Sequence, residues 1–159
     1  MPPVFENVKT YATQLGIFWQ SFNGLEMMLR IYLARKSGVG TQSLIAYINS
    51  NPGDALPECP ITDWKTFKML CAEYNKDKMP MDKIDFSEVT ALRDAMAHGR
   101  VVGNSEGQMI VVKYTKPIGK TVTVEFKREL TPLYLNQMAE FMNNAAHKIS
   151  SFIGPYMKP

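Results

Sequence analysis

Arg93-Asp94-Ala95-Met96-Ala97-His98-Gly99 sets an arginine and a histidine five residues apart, with a carboxylate directly after the arginine. Histidine titrates near neutral pH and can take or give a proton. Arginine stays charged and presents a fork of donors that suits phosphate oxygens. These two groups are enough for one chemistry, the metal-free cleavage of RNA. That reaction needs a 2′-hydroxyl to lose its proton, the adjacent phosphate to be held as its charge grows, and the leaving 5′-oxygen to gain a proton. The expected product ends in a 2′,3′-cyclic phosphate. Asp94 is available to orient His98, or an arginine of a second chain, through a hydrogen bond.

Helical geometry sets a condition on this chemistry. Five residues at about 100° each leave Arg93 and His98 roughly 140° apart around a regular helix. They converge only if the helix unwinds near Gly99, or if two chains each bring a pair to one shared site, as a symmetric dimer does. Taken alone, the stretch is better read as a surface ion pair for Arg93 and a helix-terminal histidine favoured by the helix dipole; its place late in a capped helix, with small residues Ala95, Ala97 and Gly99 around it, is what favours the chemistry.

The elements that must position the pair follow from periodicity. Val4, Val8, Tyr11, Leu15, Phe18, Phe22, Leu25, Leu29 and Tyr32 recur by four and three, which predicts one long helix from about Pro3 to Lys36. Gly16 and Gly24 weaken it, and mark either a close approach of another helix or a bend. A short helix is expected over Thr41 to Asn49 with Leu44, Ile45 and Ile48 inward. A third, capped by Thr62 or Asp63, carries Trp64, Phe67, Leu70, Cys71 and Tyr74 on one face. Asp85-Phe86-Ser87-Glu88 has the form of a capping box and opens the helix that Gly99 closes. The pattern then turns β-rich. Met109–Tyr114 and Thr121–Phe126 are expected to form a hairpin around Lys116-Pro117-Ile118-Gly119-Lys120. Thr131-Pro132 opens a last helix with Leu135, Met138, Phe141, Ala145, Ile149 and Phe152 as its stripe. The fold class is therefore mainly α, a bundle of about five helices with one inserted β-hairpin at about 108–128, in a single domain of 159 residues.

Composition narrows the function classes only mildly. Apolar residues make up 45% of the chain and the net charge is +3, so an anionic partner is permitted without being demanded. Cys59 and Cys71 lack metal-ligand spacing and a disulfide framework, which fits a reducing cytoplasm. No secretory leader, membrane span, phosphate-binding glycine loop or serine or cysteine nucleophile context is expected, and no cofactor or metal is called for.

In its Arg-Asp-x-x-Ala-His-Gly stretch, late in a capped helix of an α-helical chain, the sequence resembles the HEPN superfamily of small helical-bundle domains. Their hallmark is an arginine, then four to six residues, then a histidine. The resemblance covers most of the chain, apart from the hairpin. It implies a metal-independent endoribonuclease acting as a homodimer, commonly in toxin–antitoxin or anti-phage systems and so with an antitoxin protein as a partner. It implies Arg93 and His98 as catalytic residues and Asp94 as a supporting one. One branch of the family, paired with a nucleotidyltransferase antitoxin, has tyrosine two residues after the histidine. Arg100 stands there in this chain, so control through that tyrosine is not implied. Some members are inactive binding or scaffold modules, which makes a non-catalytic dimeric module for RNA, nucleotide or protein the alternative.

Other residues carry weaker signals. Lys113, Lys116, Lys120, Lys127 and Arg128 make the hairpin basic. Lysines also protect exposed strand edges, so a solvated edge competes with an RNA-backbone contact. The expected RNA-contacting set is Arg100, Lys113, Lys116 and Lys120. His147, without an acidic neighbour in sequence, reads as an ordinary surface histidine. Glu26, beside the apolar seam of the first helix, is a candidate partner for Arg93.

Overall fold

Helix α1 runs unbroken over Val4–Lys36 in the computed structural model, which describes residues 4–103 and 107–154, with side chains from residue 9 onward. It is followed by α2 (Thr41–Ile48), α3 (Phe67–Lys76), a single 3₁₀ turn (Pro80–Asp82) and α4 (Ser87–His98). Three strands come next, β1 (Arg100–Gly103), β2 (Met109–Tyr114) and β3 (Val124–Glu129), and then α5 (Pro132–Ser151). The fold is mainly α with a small antiparallel sheet in the order β1-β2-β3. The predicted hairpin is its β2–β3 pair. No helix among the described residues is long and apolar enough to cross a membrane.

The chain packs as two compact units, divided inside α1 and α5. One holds residues up to Gln20 together with Asp85–Glu140, and the other holds Ser21–Ile84 together with the residues from Phe141 on.

The first unit buries Phe18, Val89, Leu92, Ala95, Val111, Leu130, Leu135 and Ala139. Thr131 caps α5 as its Thr-Pro pair predicts, accepting a hydrogen bond from Tyr134 N–H at 3.0 Å. The capping box expected for α4 does not form, because the helix starts at Ser87 and Phe86 stands at the cap position without a side-chain cap. Asp85 accepts from Ser87 N–H at 2.9 Å, but Glu88 turns away and accepts from the Tyr134 hydroxyl at 3.0 Å. Arg128 of β3 lies 3.5 Å from the same Glu88 oxygen and 5.2 Å from the Tyr134 ring centre. Burial, and then the carboxylate of Glu88, push the Tyr134 phenol up to about 12. These contacts tie the start of α4 to β3 and to α5.

Two features of the sheet depart from the sequence pattern. Arg100–Gly103 is too short to announce itself, yet it pairs in register with β2, Arg100 opposite Val112 and Gly103 opposite Met109. β3 begins at Val124 rather than Thr121, because the tip of the hairpin closes by itself. Ile118 and Thr121 exchange backbone hydrogen bonds of 2.9 and 3.2 Å across Gly119-Lys120. Gly119 takes φ 64° there, a conformation that side chains resist.

The second unit buries Phe22, Leu25, Leu29, Tyr32, Leu33, Phe67, Leu70, Tyr74, Met142 and Ile149. The α1 seam from Phe18 to Tyr32 is thus realised, Tyr11 and Leu15 are half-buried, and the side chains of Val4 and Val8 lie outside those described. Phe22 packs on Phe67 with ring centres 4.7 Å apart, and Tyr32 on Tyr74 at 5.1 Å. The Lys78 ammonium sits over the rings of Phe152, Tyr32 and Tyr74 at 3.4, 4.5 and 4.9 Å, a cation–π cluster joining three segments. Arg30 anchors the segment before α3. Its guanidinium donates to Glu26 at 2.9 Å, to the Asp63 carboxylate at 3.0 Å, and to the backbone carbonyls of Pro60 and Lys65 at 3.0 and 2.9 Å. Glu26 is therefore occupied one turn along its own helix.

Three expectations fail in this unit. No residue of α2 is buried, and Ile45 and Ile48 face solvent, since nothing in the unit covers this eight-residue helix. Trp64 is 98% exposed. Helix α3 begins only at Phe67, capped by Thr66 rather than by Thr62 or Asp63, so helical periodicity does not reach back to Trp64. Asp63 is committed to Arg30. On α5 the buried stripe runs Leu135, Ala139, Met142, Ala145 and Ile149. It takes Ala139 and Met142 in place of Met138 and Phe141, which are half-buried beside it. Finally, a Cβ on Gly16 or Gly24 would meet nothing within 4 Å, so neither marks a close approach within this chain.

Candidate functional site

Helix α4 remains regular through His98, and Gly99 N–H closes its last turn on the Ala95 carbonyl at 2.7 Å. The helix does not unwind near Gly99. Within one chain, Arg93 and His98 therefore stay roughly 140° apart around the axis.

Gly99 is required for a reason other than the left-handed cap expected of a terminating glycine. Its backbone is extended, at φ −87° and ψ −163°. A Cβ here would lie 2.6 Å from the Val112 carbonyl oxygen and closer still to that of Ala95. The absent side chain lets the end of α4 lie directly against the middle of β2. The next residue, Arg100, immediately pairs with Val112 as the start of β1.

That approach places Lys113 of β2 beside the last turn of α4. Its ammonium donates to Asp94 Oδ2 at 2.5 Å and to Glu125 Oε1 at 2.9 Å. The other Asp94 oxygen, Oδ1, lies 3.8 Å from His98 Nε2, an ion-pair separation rather than a hydrogen bond. The i,i+4 spacing brings Asp94 and His98 to one face of the helix. The result is a continuous polar series, Glu125–Lys113–Asp94–His98, running from the sheet to the helix end. The Lys113 hydrogen bond holds the Asp94 carboxyl below the usual carboxylate range against the opposing effect of desolvation, and the charges of Lys113, His98 and Arg93 add to it. The same bonds, to Asp94 and then to Glu125, hold the Lys113 ammonium above its ordinary value.

The residues singled out by sequence are thus distributed unevenly. Asp94 and His98 come together, with His98 64% exposed at the helix terminus. Arg93 is half-buried on the same helix and close enough for its charge to act on Asp94. Arg100 is exposed next to the helix end, with its guanidinium 3.4 Å from the Gly99 carbonyl. Lys116 and Lys120 are exposed at the hairpin tip. Lys113 differs from them, since its side chain is only 18% exposed and both its bonds go to carboxylates of this chain. His147 is exposed, as an ordinary surface histidine would be.

Nothing in the sequence pattern marks Glu125, and the sheet shows why. Lys113 pairs with Phe126, but Tyr114 pairs with Val124, so the register slips and Glu125 falls between two paired residues. In an unbroken ladder Glu125 would oppose Tyr114 and point away from Lys113. The bulge turns it toward Lys113. Alternation in Thr121–Phe126 carries no sign of this slip.

Among the described residues, no group of three or more His, Cys, Asp or Glu side chains is arranged to hold a metal ion. No protein-family model matches this chain, and no significant similarity to a curated protein or to a solved structure was found.

Proposed function

We propose that this chain is a HEPN-type, metal-independent endoribonuclease that works as a homodimer in the cytoplasm, in a toxin–antitoxin or anti-phage setting. The observation that carries this is His98, exposed at the end of α4 with the Asp94 carboxylate one turn behind it and Arg93 beside Asp94. An exposed imidazole can exchange protons with a bound 2′-hydroxyl and with the leaving 5′-oxygen. The Asp94 carboxylate, 3.8 Å from Nε2, gives the ring a fixed neighbour on its own helix face. Arg93 supplies the fixed positive charge that a phosphorane-like transition state needs. Because α4 stays regular, the arginine and histidine that act on one phosphate come from two chains, each contributing its own helix end to a shared site. Arg100, Lys116 and Lys120 provide exposed positive charge for the RNA backbone.

One observation favours the alternative of a non-catalytic dimeric module that binds RNA, nucleotide or a protein partner. The 140° separation of the two side chains leaves no complete site on a single chain. Incubation of RNA with the parent protein, Arg93→Ala and His98→Ala in EDTA separates the two. The nuclease predicts a loss of about a hundredfold or more in each variant. Equal cleavage in the parent and His98→Ala would overturn it. Tight RNA binding by the parent without cleavage would favour the module.

A further inference from the structure

Lys113 looks, by sequence, like one more basic residue for an RNA backbone. Its surroundings say otherwise. A phosphate-binding lysine keeps its head group in water, because its ammonium is strongly hydrated and must reach a mobile ligand. Lys113 has given up most of its exposure and lies between two carboxylates of its own chain, 2.5 Å from Asp94 and 2.9 Å from Glu125. Three separate features of the fold converge on this arrangement. Gly99 lets the helix end lie against β2 at Val112, next to Lys113. The slip between Lys113 and Tyr114 turns Glu125 toward Lys113. The i,i+4 spacing then sets Asp94 between Lys113 and His98.

We infer that Lys113 is a positioning residue for His98, acting through Asp94 and itself held by Glu125, and is not an RNA contact. The inference extends the endoribonuclease proposal, on which its kinetic consequence rests. The charges in this series and acting on it are Arg93, Asp94 and His98 from α4, Lys113 from β2 and Glu125 from β3, while Arg100 of β1 lies exposed against the Gly99 carbonyl. Asp94 has two oxygens. With Oδ2 fixed on Lys113, Oδ1 is left facing Nε2 of His98. Without Lys113 the carboxylate is free to rotate away or to seek other donors, and the imidazole at an exposed helix end loses its fixed neighbour. The sheet, an elaboration on the helical scaffold, thereby sets the geometry of the helix terminus.

Lys113→Met and Lys113→Arg test this, with Asp94→Asn as a second route to the same disruption should Lys113→Met fold poorly. The first readout needs no activity. The chain has only two histidines, so replacing exposed His147 by Gln leaves His98 as the one imidazole, read by its Hε1 resonance in NMR spectra. Lys113→Met and Asp94→Asn should each move that resonance toward the position of an unconstrained histidine, while Lys113→Arg should leave it near the parent position. An unmoved His98 resonance in Lys113→Met would overturn the inference whether or not the protein cuts RNA. The second readout is kinetic. Lys113→Met should lower kcat by about tenfold to a hundredfold with KM for RNA unchanged, as misplacement of a reacting group does. A raised KM, unchanged kcat and a shallower salt dependence would instead identify Lys113 as a phosphate contact and overturn it. If the parent does not cut RNA but the ring resonance moves as expected, the positioning role stands and the endoribonuclease proposal fails.

Discussion

Gly99→Ala should destabilise the protein even though the same substitution at Gly16 or Gly24 should stabilise it. An added Cβ at Gly99 would lie 2.6 Å from the Val112 carbonyl oxygen, against an ordinary contact distance of at least 3.4 Å. The end of α4 and the middle of β2 must then part by about 0.8 Å, the last turn must also open to free the Cβ from the still closer Ala95 carbonyl, and both colliding oxygens are backbone. Overpacking of this kind costs about 1–3 kcal/mol, with rigid neighbours toward the upper end. Loss of glycine's freedom in the unfolded chain offsets about 0.4–1 kcal/mol of that. The net destabilisation is about 2 kcal/mol, or a fall in Tm of about 4–8 °C for a chain of this size. Gly16 and Gly24 lie inside α1, where an added Cβ meets nothing within 4 Å. Each replacement there should stabilise by about 1 kcal/mol. Urea denaturation of the three variants, read as shifts in midpoint at constant m-value, compares them directly. A Gly99→Ala protein as stable as Gly24→Ala would refute the close approach of α4 to β2, and with it the route by which Lys113 reaches Asp94.

Further expectations follow from the ion pairs. Arg30→Ala should cost about 2–3 kcal/mol in urea denaturation, because Arg30 and Asp63 are nearly buried and Asp63 would keep only Lys65, its ammonium 3.5 Å and its N–H 3.2 Å away. Lys at position 30 should not restore the loss, since one ammonium cannot reproduce donation to Glu26, Asp63 and two backbone carbonyls. Asp94 is held below, and Lys113 above, its ordinary value, so the stability they contribute is present between those ranges. It is lost as pH falls through the folded-state value of Asp94, and as pH rises through that of Lys113. The stability difference between the parent and Lys113→Met should therefore be largest near neutral pH and shrink below about pH 4, as measured by thermal unfolding across pH. Replacing both Lys116 and Lys120 by Gln should weaken RNA binding at low salt and reduce the slope of log K against log salt by about 1–2, with the cleavage rate at saturation unchanged. An unchanged slope would remove the hairpin tip from the RNA-contacting surface.

Much of the helical frame is legible in the sequence because long amphipathic stretches announce themselves. The α1 seam from Phe18 to Tyr32 buries as its period predicts, and Thr131-Pro132 starts α5 where capping chemistry says it should. Short segments are harder to read. Helix α2 has an inward-looking pattern that nothing in its unit covers, and Trp64 extends a periodic run past the true start of α3. For the site, the Asp94–His98 pairing follows from i,i+4 spacing alone. The role of Lys113 does not, because it depends on a register slip and on the closeness of two backbones at Gly99, both three-dimensional facts without a local pattern. A lysine in a basic strand and a lysine locked between two carboxylates read identically in one dimension.

The most direct test of the account is the chemistry of the cut itself. A defined RNA that the protein cleaves should be prepared with and without a single 2′-deoxynucleotide on the 5′ side of the cleavage point, and both should be treated with protein in EDTA. The account predicts fragments ending in a 2′,3′-cyclic phosphate from the all-ribose strand, no cleavage at the deoxy position, and neither product from His98→Ala. Fragments ending in a 3′-hydroxyl, or cleavage of the deoxy-substituted strand at the same position, would contradict it.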